Sequence, residues 1–150
     1  MASDAKNIFV TTFDEIFSYL DFDFSFINEV ALSTLSNALQ YNILVGVSGT
    51  LNGNIMFSYN AKTFRTLAAG MTGLKDINEN DIFATSAVAD LFTEFCRRFL
   101  KYFSKNDNIF LTNPISIVGD AMKVMISRVP SKNLFFKINN ERLAIAYFLE

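Results

Sequence analysis

Four polar side chains at helical spacing mark the part of the chain best suited to chemistry. They are Ser86, Asp90, Thr93 and Arg97. At about 100° per residue they project within one sector of a helix, which we call the polar stripe. The stripe offers a carboxylate, a guanidinium and two hydroxyls on one narrow surface. We predict that the function of the protein resides there. The alternative is an ordinary solvated face, since every amphipathic helix has one.

The polar stripe belongs to residues 78–104, the longest periodic segment of the chain, which contains neither proline nor glycine. We predict that Asn78 is the N-cap of this helix, with Glu79 and Asp81 in its first turn. Lys101 lies at the far end, where the helix dipole favours cations. The apolar residues recur at the spacing of one buried helix face: Ala84, Val88, Leu91, Phe92, Phe95, Phe99 and Phe103.

Three other residues of this helix have structural interpretations. Glu94 and Arg98 are spaced i, i+4 and predict a surface ion pair. Glu94 points about 80° away from the centre of the stripe, so we assign it no catalytic role. Cys96 neighbours the phenylalanine ridge, which predicts a buried thiol rather than a reactive one.

Composition excludes several classes of function. The chain of 150 residues has 17 phenylalanines, a net charge of −2, one cysteine and no histidine. A Ser-His or Cys-His catalytic pair is therefore impossible within one chain, and a structural zinc site lacks ligands. No Lys/Arg cluster favours nucleic acid. No segment reaches the roughly 18 apolar residues of a membrane span. We predict one cytoplasmic domain over residues 1–150.

Two other features are not interpreted as ligand sites. Asp21 and Asp23 lack a third ligand nearby and do not indicate a metal site. Gly49 and Gly53 are interpreted as turn glycines, because no G-K-[ST] sequence follows them as in a phosphate-binding loop.

The first 40 residues predict a helix and a strand, followed by a segment left open. The helix covers residues 5–20, with Ser3 or Asp4 as its cap. Its buried face consists of Phe9, Phe13, Ile16, Phe17 and Leu20. Residues 21–27 alternate apolar and polar side chains, as a half-buried strand does. Residues 28–40 suit a helix or an irregular strand about equally.

Residues 43–59 predict a β-hairpin around the turn at 49–53. A second helix is predicted over residues 61–71 and ends at Gly73. Gly70 inside it costs roughly 1 kcal/mol relative to alanine, which predicts a close packing contact. The inward residues of this helix are predicted to be Phe64, Leu67, Ala68 and Met71.

The last third of the chain predicts further strands. Residues 104–108 are a polar break. Strands are expected at 109–111, at 115–119, at 124–129 (ended by residues 130–133), and in a hairpin of residues 134–138 and 143–149. The fold class is therefore α+β, a single mostly antiparallel sheet packed against long helices. Residues 143–149 are predicted to be an edge strand. Its pairing with the same strand of a second subunit would give a homodimer.

Four motifs occur in a fixed order along the chain. Residues 49–57 match G-x-x-x-G-x-I-x-F, residues 67–73 match L-A-x-x-M-x-G, residues 86–93 stand where S/D-x-x-x-E-x-x-N is expected, and residues 114–119 match P-x-x-x-x-G. With the apolar last hairpin, this order resembles the CheX branch of the CheC/CheX/FliY phosphatases of bacterial chemotaxis. The resemblance covers nearly the whole chain and implies a CheC/CheX-like fold.

The resemblance implies hydrolysis of the aspartyl phosphate on a CheY-type response regulator in two-component signalling. The family Asn positions the attacking water and the family Glu pairs with a Lys of the regulator. The Mg²⁺ is carried by the regulator, so no cofactor of the chain's own is implied.

The resemblance assigns Asp90 and Thr93 as catalytic residues, and Ser86 and Arg97 as binding residues. Asp90 replaces Glu, Thr93 replaces Asn and Arg97 replaces a Gly of the family pattern. A shorter carboxylate and a shorter, β-branched hydroxyl predict hydrolysis that is weakened, altered or lost. A non-catalytic module that binds a response regulator, or a dimeric domain with an unrelated partner, are the open alternatives.

Overall fold

Helices cover one face of an antiparallel sheet in the computed structural model, which describes residues 2–20, 22–33, 36–37, 39–103, 108–120, 122–126 and 131–150. The helices within this part of the chain are α1 (Ala2–Leu20), α2 (Ala61–Thr72) and α3 (Ile82–Phe103). The strands are β1 (Phe24–Ser33), β2 (Ser36–Asn37), β3 (Tyr41–Gly49), β4 (Gly53–Tyr59), β5 (Ile109–Leu111), β6 (Ile115–Val118), β7 (Lys123–Val124), β8 (Ser131–Ile138) and β9 (Glu141–Leu149).

In the described residues, seven strands form one sheet. Six follow the order β1-β8-β9-β4-β3-β5, and β6 pairs with residues 41–44 of β3, on the same side as β5, which pairs with residues 47–49. All of these pairings are antiparallel. β2 and β7 form a separate two-stranded pair. The predicted α+β class, with one antiparallel sheet against long helices, is confirmed.

Phenylalanine rings join the helices to the sheet. Phe9 of α1 stacks on Phe99 of α3 with 4.0 Å between ring centroids. Phe13 stacks on Phe95 at 4.1 Å, and both rings are almost fully buried. On the sheet side, Phe95 meets Phe57 of β4 edge-on at 5.3 Å between ring centroids. Because aromatic pairs add to the free energy of burial, these contacts hold the apolar face of α3 against α1 and the sheet. The opposite side of α3 is therefore presented to solvent.

The two predicted hairpins form as expected. Gly49 and Gly53 flank the β3–β4 turn with φ of 117° and 155°, a backbone region that favours glycine. Ile55 faces the helices, whereas Met56 on the other face packs with Ile126. The two-residue β8–β9 turn consists of Asn139 and Asn140, each with a positive φ, at 47° and 69°.

The end of α2 also follows the sequence pattern. Gly73 ends the helix with φ of 75°, and its N–H donates to the Ala69 carbonyl at 2.8 Å. Gly70 lies against the ring of Phe22, so the predicted close packing contact is confirmed. Met71 was predicted to point inward, but its side chain is 36% exposed and lies at the edge of the helix layer.

Helix beginnings were predicted less well. α1 starts at Ala2, before both predicted caps. α3 starts at Ile82, because Asp81 rather than Asn78 is its N-cap. The Asp81 carboxylate accepts from the Phe83 N–H at 2.9 Å. The Asn78 side chain instead accepts from the Asn80 N–H, which closes a local turn before the helix.

The open segment 28–40 is extended rather than helical where it is described. β1 continues to Ser33, with a register irregularity between Phe26 and Asn28 that marks a bulge. The predicted strand at 124–129 was wrong in its bounds. β7 ends at Val124, residues 127–130 lie outside the described residues, and residues 131–133 already belong to β8. Asp21 and the break at 104–107 also lie outside them.

The strand β9 is not an edge, and that prediction was wrong. It lies between β8 and β4 and is hydrogen-bonded to both. A homodimer through this strand is therefore excluded, because its backbone groups are already paired. Among the described helices, none is both long and apolar enough to cross a membrane.

Candidate functional site

The outer face of α3 carries the polar stripe. Ser86, Asp90 and Arg97 are exposed there, and Thr93 is half-buried. Asp90, Thr93 and Arg97 border one shallow depression of about 430 Å³. Ser86 is not among its lining residues. The structure thus brings three of the four predicted residues around a common space.

Residues outside the stripe complete this depression. Met71 of α2 and Leu91 supply apolar surface, and Glu94 lies beside Arg97. Met71 was predicted as an inward residue of α2 and not as part of the site. The periodicity of α2 predicts which face of the helix is apolar, but it does not predict which residues of that face other elements leave exposed.

The Thr93 hydroxyl is turned toward its own helix. Its O–H donates to the Ala89 carbonyl oxygen at 2.8 Å, a bond common for threonine in helices. Since the hydroxyl has one hydrogen, Thr93 can offer an incoming water only its lone pairs. While this bond is kept, the Thr93 hydroxyl can accept a hydrogen bond from a water and so orient it. It cannot at the same time donate a hydrogen bond to a phosphoryl oxygen.

Glu94 is shared by two arginines. Arg98 donates to it at 3.1 Å, so the predicted i, i+4 ion pair is present, and Arg97 also pairs with it. Desolvation raises the pKa of Glu94. Hydrogen bonds from Arg98 and Arg97, together with their positive charges, outweigh that effect and hold the pKa below its ordinary value. The Arg97 side chain is 55% exposed, so its guanidinium remains accessible to solvent.

Cys96 is turned into the core and does not line this depression. It is fully buried, and burial raises the pKa of its thiol. The prediction of a buried cysteine is confirmed, and a thiol held neutral is a poor nucleophile.

Two exposed apolar residues stand at the start of the same helix. The exposed fraction is 82% for Ile82 and 66% for Phe83. Phe83 precedes Asp90 by two helical turns and therefore lies on the same face. The signal in the sequence was that both residues fall out of phase with the buried spacing of α3.

The described side chains include no cluster of three His, Cys, Asp or Glu residues that could hold a metal ion. The site therefore offers charge, hydroxyl and apolar groups for docking, without a metal donor set in the described part of the chain.

The helix layer on this seven-stranded sheet is the fold of CheX and CheC-like chemotaxis proteins. CheX from Desulfovibrio desulfuricans superposes with a TM-score of 0.83 at 17% identity, over 98% of this chain and 99% of that one. A CheC-like superfamily protein from Shewanella sp. PV-4 gives 0.82 at 17% identity, over 100% and 99%.

A third structure is the CheX–CheY–BeF₃–Mg²⁺ complex from Borrelia burgdorferi, with a TM-score of 0.64 at 14% identity over 99% of this chain and 97% of that one. No protein-family profile matches the sequence, and no curated protein sequence matches it. At these identities the likeness establishes the fold.

Proposed function

We propose that the protein docks on a phosphorylated CheY-type response regulator through the outer face of α3 and promotes hydrolysis of its aspartyl phosphate. The observation that carries this proposal is the grouping of Asp90, Thr93 and Arg97 around one depression on an exposed helix face. The resemblance of residues 86–93 to the chemotaxis phosphatase motif and the CheX fold support it. One CheX neighbour is itself in complex with CheY.

In the proposed reaction no covalent bond forms between the substrate and this chain. Water attacks the phosphorus, the bond to the aspartyl oxygen of the regulator breaks, and inorganic phosphate and a free carboxylate result. Phosphoryl transfer of this kind is accelerated mainly by positioning and by stabilising charge. Asp90 would contact a lysine of the regulator, and Thr93 would accept a hydrogen bond from the attacking water. The Mg²⁺ would be bound by the regulator.

A second candidate function is binding without hydrolysis. The Thr93 bond to Ala89 favours it, because the hydroxyl hydrogen is already engaged. A water held by one acceptor keeps much of its orientational freedom, and misplacement by about 1 Å can cost on the order of 100-fold in rate. The protein would then bind the activated regulator and leave its phosphoryl group intact.

One experiment separates the two functions. A CheY-type receiver domain is phosphorylated with a small-molecule phosphodonor, and its phosphoryl lifetime is followed with and without stoichiometric protein. Binding to the BeF₃-activated, Mg²⁺-loaded receiver is measured in parallel. A shortened lifetime that Asp90→Ala abolishes supports hydrolysis. Binding with an unchanged lifetime supports the second function. Absence of both binding and acceleration refutes both.

A cytoplasmic location and a homodimer complete the proposal. The dimer cannot use β9, so the open sides of the outermost described strands, β1 on one side and β5 with β6 on the other, are the candidate contacts. Light scattering across a range of protein concentrations tests it, and a monomeric mass throughout would contradict it.

A further inference from the structure

We infer that Arg97 is a catalytic residue of the proposed phosphatase. In the complex its guanidinium leaves Glu94 and binds the phosphoryl oxygens of the regulator. This inference rests on the proposed hydrolysis of aspartyl phosphate, and it assigns the donor that the Thr93 hydroxyl cannot supply.

The position of Arg97 suits this role. It follows Thr93 by four residues, so the two side chains are neighbours on the helix surface. Both border the depression that Asp90 also lines. Of the described residues that line this depression, Arg97 alone is cationic. A phosphoryl group brought into this space would meet one positive charge, and the rest of the wall would be acidic or uncharged.

The release of Arg97 from Glu94 leaves no carboxylate without a partner. Glu94 binds Arg97 through one oxygen and Arg98 through the other. When Arg97 leaves, Arg98 continues to neutralise Glu94 at 3.1 Å. The side chains of all three residues are more than a third exposed, and exposed ion pairs contribute little to stability. The exchange therefore has a small cost.

The phosphoryl group can bind Arg97 through more hydrogen bonds than Glu94 does. A guanidinium donates two parallel hydrogen bonds to phosphate oxygens, whereas Glu94 offers Arg97 one oxygen and uses the other for Arg98. In the transition state the negative charge spreads over the three equatorial phosphoryl oxygens. A cation beside those oxygens lowers the barrier, and the water, leaving carboxylate and products are the same as in the reaction above.

The test compares Arg97 with its matched neighbour. Dephosphorylation of a saturated receiver complex is measured for the wild-type protein, Arg97→Ala, Arg97→Lys and the Arg98→Ala/Glu94→Gln double variant, each also tested for binding to the BeF₃-activated receiver. We expect Arg97→Ala to lower the rate constant in the complex by at least about tenfold, since removal of one transition-state donor can cost on the order of 100-fold or more. The dissociation constant should change less. Arg97→Lys should retain part of the rate, and added guanidinium should restore part of it to Arg97→Ala.

The outcomes separate this inference from the proposed function. If the wild-type protein accelerates hydrolysis and Arg97→Ala does so equally well, the role of Arg97 is overturned and the proposed function stands. The same holds if the Arg98→Ala/Glu94→Gln double variant, in which no carboxylate competes for Arg97, loses as much activity as Arg97→Ala, because the loss would then not depend on Arg97. If the wild-type protein binds without acceleration, both the hydrolysis and the role of Arg97 are overturned.

Discussion

The substitution Thr93→Asn should increase the rate at which the protein dephosphorylates a CheY-type receiver. In the native protein the Thr93 hydroxyl donates to the Ala89 carbonyl, so it can only accept from water. An asparagine amide reaches about 1 Å farther from Cβ, by the standard bond lengths. It also presents a donor and an acceptor at once, one for the phosphoryl oxygen and one for the water.

The expected magnitude follows from that difference in reach. A displacement of about 1 Å in a reaction that depends on positioning costs on the order of 100-fold, or about 2.7 kcal/mol. We expect Thr93→Asn to increase the rate constant of dephosphorylation at least about tenfold over that of the wild-type protein. Asp90 is still one methylene shorter than glutamate, so the double variant with Asp90→Glu should recover more.

The assay is single-turnover decay of a phosphorylated receiver in excess protein. Thr85→Asn is the matched control, since the Thr85 hydroxyl bonds the Asp81 carbonyl in the same way, at 3.0 Å, on the side of α3 away from the depression. Threonine and asparagine have similar helix propensities, so both variants should keep the native melting temperature within a few degrees. If Thr93→Asn and the double variant bind the receiver yet leave its phosphoryl lifetime unchanged, α3 does not face the phosphoryl group and the reasoning fails.

Three further predictions concern the fold that presents α3. Gly70→Ala places a methyl group against the Phe22 ring and should destabilise the protein by about 1 kcal/mol despite the better helix propensity of alanine. In a Phe22→Ala background the same substitution should stabilise the protein instead. Urea unfolding of the wild-type protein, the two single variants and the double variant checks that the effect of Gly70→Ala on the free energy of unfolding changes sign. Phe95→Ala leaves a cavity among the buried aromatic rings and should lower the free energy of unfolding by about 3–5 kcal/mol in the same assay. A decrease below about 1 kcal/mol would contradict the burial of this ring. The pKa of Glu94 is lower in the folded protein than its ordinary 4.5, so its ion pairs stabilise the fold above that pH and are lost as the pH falls through the folded pKa. Glu94→Gln should remove this part of the acid sensitivity, by less than about 1 kcal/mol, in unfolding curves between pH 7 and pH 3.

Local sequence patterns were sufficient to predict structure where the side chains of a segment themselves determine its conformation. The buried face of α3 follows from its spacing, and the Gly49 and Gly53 turn follows from the backbone region that glycine favours. Sheet order depends instead on pairing between distant segments, which no local pattern contains. β9 illustrates this, because its nearly continuous apolar run fits an interior strand covered on both faces, yet it was assigned to an edge. Ala146 on its outer face is 3% exposed.

The candidate site was predictable in position but not in its contacts. The i, i+4 rule predicted the pair of Glu94 with Arg98, whereas the long Arg97 side chain turns from the stripe to the same carboxylate. The direction of the Thr93 hydroxyl was not predictable either. A threonine on a helix surface can bond its own helix or a ligand, and the spacing of residues does not distinguish the two.

The pairing of β1 with β8 affects how the chain folds. Phe24 lies opposite Ile138, so this pair of strands joins segments near opposite ends of the chain. Such a contact forms only when the long segment between the two strands closes into a loop. The conformational entropy of that segment is lost before the new hydrogen bonds and contacts can compensate for the loss. The β3–β4 and β8–β9 hairpins need only short loops and should form early, with β1 added last at the side of the sheet. Pulsed hydrogen exchange should therefore protect the amides of β4 and β9 before those of β1.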